Sequence, residues 1–160
     1  MSNVDTFNGV KSGLMFLNAY INTVAQSLGE EQAYAFDTMT CEALGAAQGK
    51  TIKSKSGIDE FDLRTTVQLL QDLIEEGFGI RSDVILETPH KVTMNVRRCP
   101  IYESMQALGM DAKAIETSCR AGAIHFMGAA AKQLNPELRY NLTKFRASAD
   151  DYCKETIFLD

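Results

Sequence analysis

The residues of this sequence best suited to reactions or metal binding are its four cysteines, which lie far apart: Cys41, Cys99, Cys119 and Cys153. A cysteine thiolate is both a nucleophile and a metal ligand. No two of these residues form a Cys-x-x-Cys pair, which excludes a zinc ribbon or a thioredoxin-type motif. Each cysteine must therefore be judged by the element that carries it.

Cys99 lies directly before Pro100, and proline is favoured at the first position of a helix. A thiol at the N-cap is close to unpaired backbone N–H groups and to the positive end of the helix dipole, which favours the thiolate. This placement predicts a catalytic nucleophile at Cys99. The alternative is a small, half-buried cap residue without reactivity.

Cys119 lies on the apolar face of a predicted helix, where a free cysteine is ordinarily part of the core. Glu116 precedes it by one helical turn. This spacing can bring a carboxylate and a thiolate to one metal ion. Core packing and metal binding both remain open for Cys119.

Titratable and basic residues nearby supply further candidates. His125 lies at the border of the same apolar face, which is typical of a partly buried, hydrogen-bonded histidine. The alternative is a proton carrier that works near neutral pH. Arg98 and Arg120 are candidates for ligand binding, because a guanidinium can hold a carboxylate through two hydrogen bonds. The alternative for both arginines is a solvated surface position.

The elements that position these residues begin with three helices. Apolar residues recur at steps of three and four over residues 7–28, which predicts an amphipathic helix that ends at Gly29. A second helix is predicted from Glu30 to about Gly45 or Gly49. The lysine-rich segment 49–57 is predicted to be a loop. A third helix over 59–77 starts with acidic residues and ends at a glycine.

The second half of the chain changes pattern and predicts two hairpins with helices between them. Its predicted elements are strands 82–86 and 91–97, a short helix from Pro100 to Gly109, a longer helix from Asp111 with an inner face reaching Ala129, and strands 138–147 and 152–159. We expect an α+β fold in which an antiparallel sheet of about four strands packs against a helical layer. We expect a single domain over 1–160, with a helical part (1–78) and a hairpin–helix–hairpin part (79–160).

Composition excludes several classes of function. The net charge of −5 and the pI of about 5.1 argue against nucleic-acid binding. No apolar run reaches the roughly 18 residues of a membrane helix. The first residues lack the basic start and apolar core of a signal peptide. We therefore expect a cytoplasmic protein with reduced cysteines, whose partner is a small molecule and neither a nucleic acid nor a membrane.

Several motifs together resemble one known family. They are Cys99-Pro-Ile-Tyr-Glu103 before Ala107-Leu-Gly109, Cys119 in a helix of small residues, Leu134-Asn-Pro136, and Ala149-Asp-Asp-Tyr-Cys153. This pattern resembles the L-2-amino-thiazoline-4-carboxylic acid hydrolase family over roughly Val84 to Leu159. More remotely, the chain is similar to vinyl-reductase-type ligand-binding domains and to subunits of Golgi transport particles.

The resemblance implies a fold, an activity and a partner. It implies a ligand-binding domain of the NO-signalling and Golgi-transport type, which often dimerises and encloses an apolar pocket. It points to one of Asp150 and Asp151, with Asp150 as the candidate, as a general base or metal ligand. The alternative is that this acidic pair stabilises the turn through side-chain to backbone hydrogen bonds. The resemblance also carries over Cys119 and Cys153 from the ligand set of metal-binding relatives. With Glu116, these residues form a candidate site for zinc or another divalent metal. The family's turn usually opens with glycine where Ala149 stands, and segment 141–145 lacks the remaining metal ligands.

Two functions of different class follow. The first is hydrolysis of a C–N bond in a cyclic thiazoline carboxylic acid, with Cys99, His125 and Asp150 as catalytic candidates. The second is a non-catalytic, sensor-like domain in which the cysteines brace a pocket for a small molecule or a metal. Either would act as a homodimer if the resemblance holds, and the fold alone does not separate them.

Overall fold

Three long helices occupy the first half of the chain. The computed structural model describes residues 3–160, and it forms helices α1 (Asn3–Leu28), α2 (Glu30–Ser56) and α3 (Leu63–Phe78). Gly29 separates α1 from α2 with φ 98°, a conformation that glycine adopts without a Cβ clash. None of the helices in the described residues is long and apolar enough to cross a membrane.

Four strands form one antiparallel sheet. They are β1 (Ser82–Thr88), β2 (Lys91–Val96), β3 (Leu138–Lys144) and β4 (Cys153–Leu159). The order in the sheet is β1-β2-β4-β3, so β4 is hydrogen-bonded on both sides. Both predicted hairpin regions contribute, and the expected α+β fold with a four-stranded antiparallel sheet is confirmed.

Three shorter helices connect the two halves of the sheet. They are α4 (Pro100–Ala107), α5 (Ala112–Ala121) and α6 (Ala123–Leu134), and Cys99 is the N-cap of α4 as predicted. The prediction of one long helix from Asp111 is wrong, since the chain breaks at Gly122. A Cβ at this glycine would lie 2.8 Å from Asp37 Oδ2 on α2. The break between α5 and α6 therefore lies where the chain passes close to α2.

The prediction of a loop over 49–57 is also wrong, because α2 continues to Ser56 and ends at Gly57 with φ 65°. Gly45 and Gly49 are contact points in α2. A Cβ at Gly45 would lie 2.1 Å from Phe126 O, and one at Gly49 would lie 2.6 Å from Ala130 O. These glycines thus let the backbones of α2 and α6 touch.

The core lies between the inner face of the sheet and the helices α3 and α6. Its fully buried side chains include Leu70, Met94, Ala130, Ala131, Leu138 and Ile157. Alternate residues of β4 share this inner face, so Cys153, Glu155 and Ile157 all point toward the helices. A glutamate in such a row is unusual, since a carboxylate loses its hydration there.

Candidate functional site

A cavity of about 240 Å³ separates the inner face of the sheet from the helices α1, α2 and α5. Most of its wall is apolar and comes from all six helices and from β2, β3 and β4. Leu17 of α1 and Leu44 of α2 line it while remaining 45% and 55% exposed. The cavity therefore opens to solvent between α1 and α2.

All four cysteines line this cavity, although they come from different elements. Cys41 is on α2, Cys99 precedes α4, Cys119 is on α5 and Cys153 begins β4. None of them forms a disulfide. Residues separated by more than one hundred positions in the sequence thus contribute to one small space.

The Cys99 thiol does not have the low pKa that its cap position predicts. Burial raises its pKa to about 11, and this outweighs the N–H groups of Tyr102 and Ile101 and the charge of Arg146, which lower it. The helix terminus acts as expected, but the loss of hydration is larger. Cys99 is therefore a neutral thiol at physiological pH.

The thiols on α5 and α2 are held neutral in the same way. Burial raises the pKa of Cys119 well above its ordinary value, and the neighbouring Cys99 and Cys153 add to this effect. Burial and Asp37 together raise the pKa of Cys41 to about 12. Cys41 Sγ donates to Asp37 Oδ1 over 3.5 Å, and burial raises the pKa of this carboxyl too.

Arg146 is the cation of the cavity, and its side chain is fully buried. Its Nη2 donates to the carbonyl oxygen of Val96 over 2.8 Å, and its Nε donates to Cys153 Sγ over 3.3 Å. The guanidinium carbon lies 5.0 Å from the ring centre of Tyr102. These contacts fix the guanidinium at the end of β2 and the beginning of β4.

Glu155 is the acid of the same inner face, and Tyr140 donates a hydrogen bond to its Oε2. Burial raises the pKa of Glu155, while Tyr140 and Arg146 oppose that rise. Burial and the neighbouring carboxylate raise the pKa of Tyr140 well above its ordinary value. The cavity wall thus contains a hydrogen-bonded phenol and carboxyl on the neighbouring strands β3 and β4.

Two predicted catalytic residues lie outside the cavity. His125 is exposed on α6, and its Nδ1 is 2.8 Å from Glu42 Oε1 on α2. Asp150 is exposed in the turn before β4. Its neighbour Asp151 is the carboxylate that organises this turn, since it accepts from Lys144 Nζ over 2.7 Å and from the Ala147 N–H over 3.0 Å.

The two arginines predicted to bind a ligand are engaged elsewhere. Arg98 pairs with Glu103 and lies 3.9 Å from the ring centre of Phe7. Arg120 pairs with Glu116 over 2.7 Å and donates to the Leu142 carbonyl over 3.1 Å. Both are exposed, and neither lines the cavity.

The candidate metal ligands are brought together only in part. Cys119 and Cys153 line the cavity, whereas Glu116 is held in its ion pair with Arg120. Over residues 3–160, no group of three or more histidine, cysteine, aspartate or glutamate side chains has the arrangement of a metal site. The described donors therefore do not fit a closed zinc centre of the structural type, which takes four ligands.

Sequence reasoning missed Arg146, Glu155 and Tyr140. Only Glu155 carries a signal in the sequence, because it falls between Cys153 and Ile157 on the inward face of a predicted strand. Arg146 lies near the end of the predicted strand 138–147 and two residues after the end of β3, a position where an arginine is ordinarily solvated. Its burial depends on Val96 and Tyr102, which are distant in the sequence.

Two solved structures share this fold. One is the phenol-responsive sensory domain of the transcription activator PoxR with phenol, with a TM-score of 0.66, 12% identity, and coverage of 91% of this chain and 74% of that chain. The other is trafficking protein particle complex subunit 3 from Naegleria fowleri, covalently bound to palmitic acid. Its TM-score is 0.60 at 14% identity, with coverage of 94% and 96%.

The sequence itself identifies the family. No match is found among curated proteins. The profile of the L-2-amino-thiazoline-4-carboxylic acid hydrolase family matches residues 10–156, which include every cysteine and each charged residue of the cavity. The chain therefore belongs to the L-2-amino-thiazoline-4-carboxylic acid hydrolase family.

Proposed function

We propose that the cavity binds a small cyclic molecule and that the protein hydrolyses cyclic thiazoline carboxylic acids. The observation that carries this proposal is the largely apolar cavity with Cys99, Arg146 and Glu155 in its wall. A volume of about 240 Å³ equals that of roughly eight water molecules. A single five-membered ring with its substituents fits this space, whereas a polymer does not.

The reaction adds water to the ring carbon between nitrogen and sulfur and breaks the bond from that carbon to nitrogen. It requires one group to take a proton from water and one to deliver a proton to the leaving nitrogen. Glu155 suits this exchange, because burial brings its pKa upward toward the working pH. Cys99 lies in the same wall as a neutral thiol and a proton donor. His125 and Asp150 stay predictions without contact with this cavity.

Turnover of L-2-amino-thiazoline-4-carboxylic acid tests the proposal, with mass spectrometry to detect a product heavier by one water. We expect Glu155→Gln to lower turnover by about two orders of magnitude, in the range of a lost general base. Cys99→Ser tests the thiol in the same assay. The control is Glu60→Gln, an exposed glutamate outside the cavity. Unchanged turnover in both Glu155→Gln and Cys99→Ser would rule out this mechanism.

The alternative is binding without catalysis, and the state of the thiols favours it. Burial keeps the Cys99 and Cys119 thiols protonated, which suits a stable wall better than a nucleophile. The related fold of a phenol-responsive sensory domain supports the same alternative. Saturable binding of the thiazoline acid without any product would select it over hydrolysis.

We further propose a homodimer formed through the outer faces of α1 and α2. Large apolar side chains on these helices are 59–82% exposed: Phe16, Tyr20, Phe36 and Met39. Exposed apolar residues grouped in this way are typical of an interface. The mouth of the cavity lies between the same two helices at Leu17 and Leu44. A second copy of the chain bound there would also cover the mouth.

A further inference from the structure

Arg146 differs from every other arginine of this chain. The sequence contains seven arginines, and the other six each form an ion pair with a carboxylate. Arg146 is 2% exposed, and among the described residues no carboxylate oxygen lies within 4.0 Å of its nitrogens. The one buried guanidinium is thus the one arginine that has no carboxylate partner in residues 3–160.

A buried guanidinium cannot relieve its charge by losing a proton, since arginine stays protonated in proteins. The two acceptors that hold Arg146 are the Val96 carbonyl oxygen and the Cys153 sulfur, and neither is a carboxylate. They use one hydrogen of Nε and one of Nη2, whereas the guanidinium has five. Nη1 takes part in none of the hydrogen bonds found among the described residues.

Glu155 is not a carboxylate partner of Arg146. It is near enough for the charge of Arg146 to influence it, but its Oε2 accepts from Tyr140. It forms no ion pair with Arg146 by the 4.0 Å limit that defines the pairs of the other arginines. The inner face of the sheet therefore keeps its cation and its acid apart.

We propose that Arg146 binds the carboxylate of the cavity's ligand and thereby selects small carboxylic acids over their uncharged analogues. This inference rests on the proposed function, because it assigns a residue to the substrate of that site. The guanidinium is held from behind by Val96 and Cys153 and from one side by the ring of Tyr102. Its remaining donors are then available to a carboxylate, which is the anion that a planar fork matches best.

This assignment replaces the two arginines that the sequence favours. Arg98 and Arg120 are exposed and paired with Glu103 and Glu116. A carboxylate reaching either of them would have to displace an existing partner in water, where such pairs contribute little. At Arg146 a carboxylate would neutralise a buried charge, so the same contact contributes more.

The test compares two matched ligands in calorimetry: L-2-amino-thiazoline-4-carboxylic acid and its carboxamide. We expect the native protein to bind the acid roughly 10- to 100-fold more tightly, the range of a hydrogen bond to a charged group. In Arg146→Gln we expect this preference to fall to about twofold. The control is Arg64→Gln, an exposed arginine paired with Glu87, which should keep the full preference.

Other outcomes would overturn the assignment. Equal binding of acid and amide by the native protein contradicts it while leaving the cavity as a small-molecule site. A preference that survives in Arg146→Gln assigns the carboxylate to another group. If neither ligand binds, both the assignment and the proposed function fail. If Arg146→Gln does not fold, the comparison of acid and amide binding by the native protein still tests the assignment. Arg146→Lys, which keeps the charge, then serves as the second variant.

An inorganic anion is the remaining competitor for this position. The same titrations in chloride-free buffer and in 0.2 M sodium chloride separate it from a ligand carboxylate. We expect the preference for the acid to change less than about threefold, because buried charges are weakly screened. Loss of the preference in chloride would show that Arg146 takes any small anion, which contradicts selection of a carboxylate.

Discussion

Arg146 and Cys153 are joined by a hydrogen bond from Nε to Sγ over 3.3 Å, and this bond closes one end of the sheet. Cys153 is the register partner of Val96, whose carbonyl accepts from the same guanidinium. The arginine therefore connects the segment after β3 with the ends of β2 and β4. Arg146 and Cys153 therefore line the cavity and also connect the strands that form its wall.

Alkylation of Cys99 by iodoacetamide is expected to rise about tenfold for each pH unit between pH 7 and 9. The reason is that the thiolate reacts, and burial raises the pKa of this thiol to about 11. Site-resolved mass spectrometry of native protein measures the rate, and the denatured chain is the control. A rate that is already constant above pH 7 would mean that the thiolate forms readily, as the N-cap position alone predicts.

Replacing Glu155 with glutamine is expected to stabilise the ligand-free protein more at pH 8 than at pH 4. Burial raises the pKa of Glu155 in the folded state above its ordinary value of 4.5. Its favourable contribution is therefore complete below about pH 4.5 and is lost as the pH rises through the folded-state value. Glutamine has no such titration and still accepts from Tyr140.

Urea denaturation at the two pH values measures this difference, with Glu60→Gln as the exposed control. If Glu155→Gln were less stable than the native protein at pH 8, the folded protein would stabilise the ionised form of Glu155, which contradicts this prediction. Together with the loss of turnover expected for the same variant, greater stability would identify Glu155 as a residue kept for function at a cost to folding.

Alanine at Gly45 is expected to lower the free energy of unfolding by about 1–3 kcal/mol, the range for overpacking. Its Cβ would lie 2.1 Å from Phe126 O, so α2 and α6 would have to separate. Gly77→Ala is the matched control, since nothing lies within 4 Å of a Cβ there. This second change should raise stability by about 0.5–1 kcal/mol, because glycine is unfavourable inside a helix. Chemical denaturation measures the free energy of unfolding of both variants, and equal effects of the two changes would contradict the close contact at Gly45.

The double variant Phe16→Glu, Met39→Glu is expected to be monomeric in sedimentation velocity under conditions where the native protein is dimeric. Both side chains are more than 60% exposed on α1 and α2, so their replacement should leave the fold intact. Ile85→Glu introduces the same charge on β1, which is outside the proposed interface, and should leave the dimer unchanged. A native protein that sediments as a monomer would contradict the dimer directly.

The fold was largely predictable because its signals are local. Apolar spacing identifies α1 and α3, and the turn between β1 and β2 identifies the first hairpin. Two boundaries differ from the prediction. The sequence predicts that α2 ends at Gly45 or Gly49 and that one helix runs through Gly122, whereas α2 continues through both glycines and the chain breaks at Gly122. At each of these glycines a Cβ would lie within 3.0 Å of an atom of the neighbouring helix. Contacts between helices are not encoded within either helix.

The candidate site was predictable only for residues whose type is itself a signal. Cysteines attract attention in any sequence, and Cys99, Cys119 and Cys153 do line the cavity. Arg146 and Tyr140 resemble many surface residues in type. What distinguishes them is burial beside Cys153 and Glu155, which depends on the pairing of β3, β4 and β2.

The position of β4 between two hydrogen-bonded neighbours has a consequence for recognition. Glu155 is carried by one of the two central strands, and Arg146 is bonded to the end of β2 and the beginning of β4. In the proposed roles, the distance from the carboxylate-binding Arg146 to the proton-exchanging Glu155 is therefore set by the sheet. A molecule with its acid one bond farther from the reacting carbon would satisfy one group and miss the other. The sheet would thus discriminate between homologous ring compounds by the distance from their carboxylate to their reacting carbon.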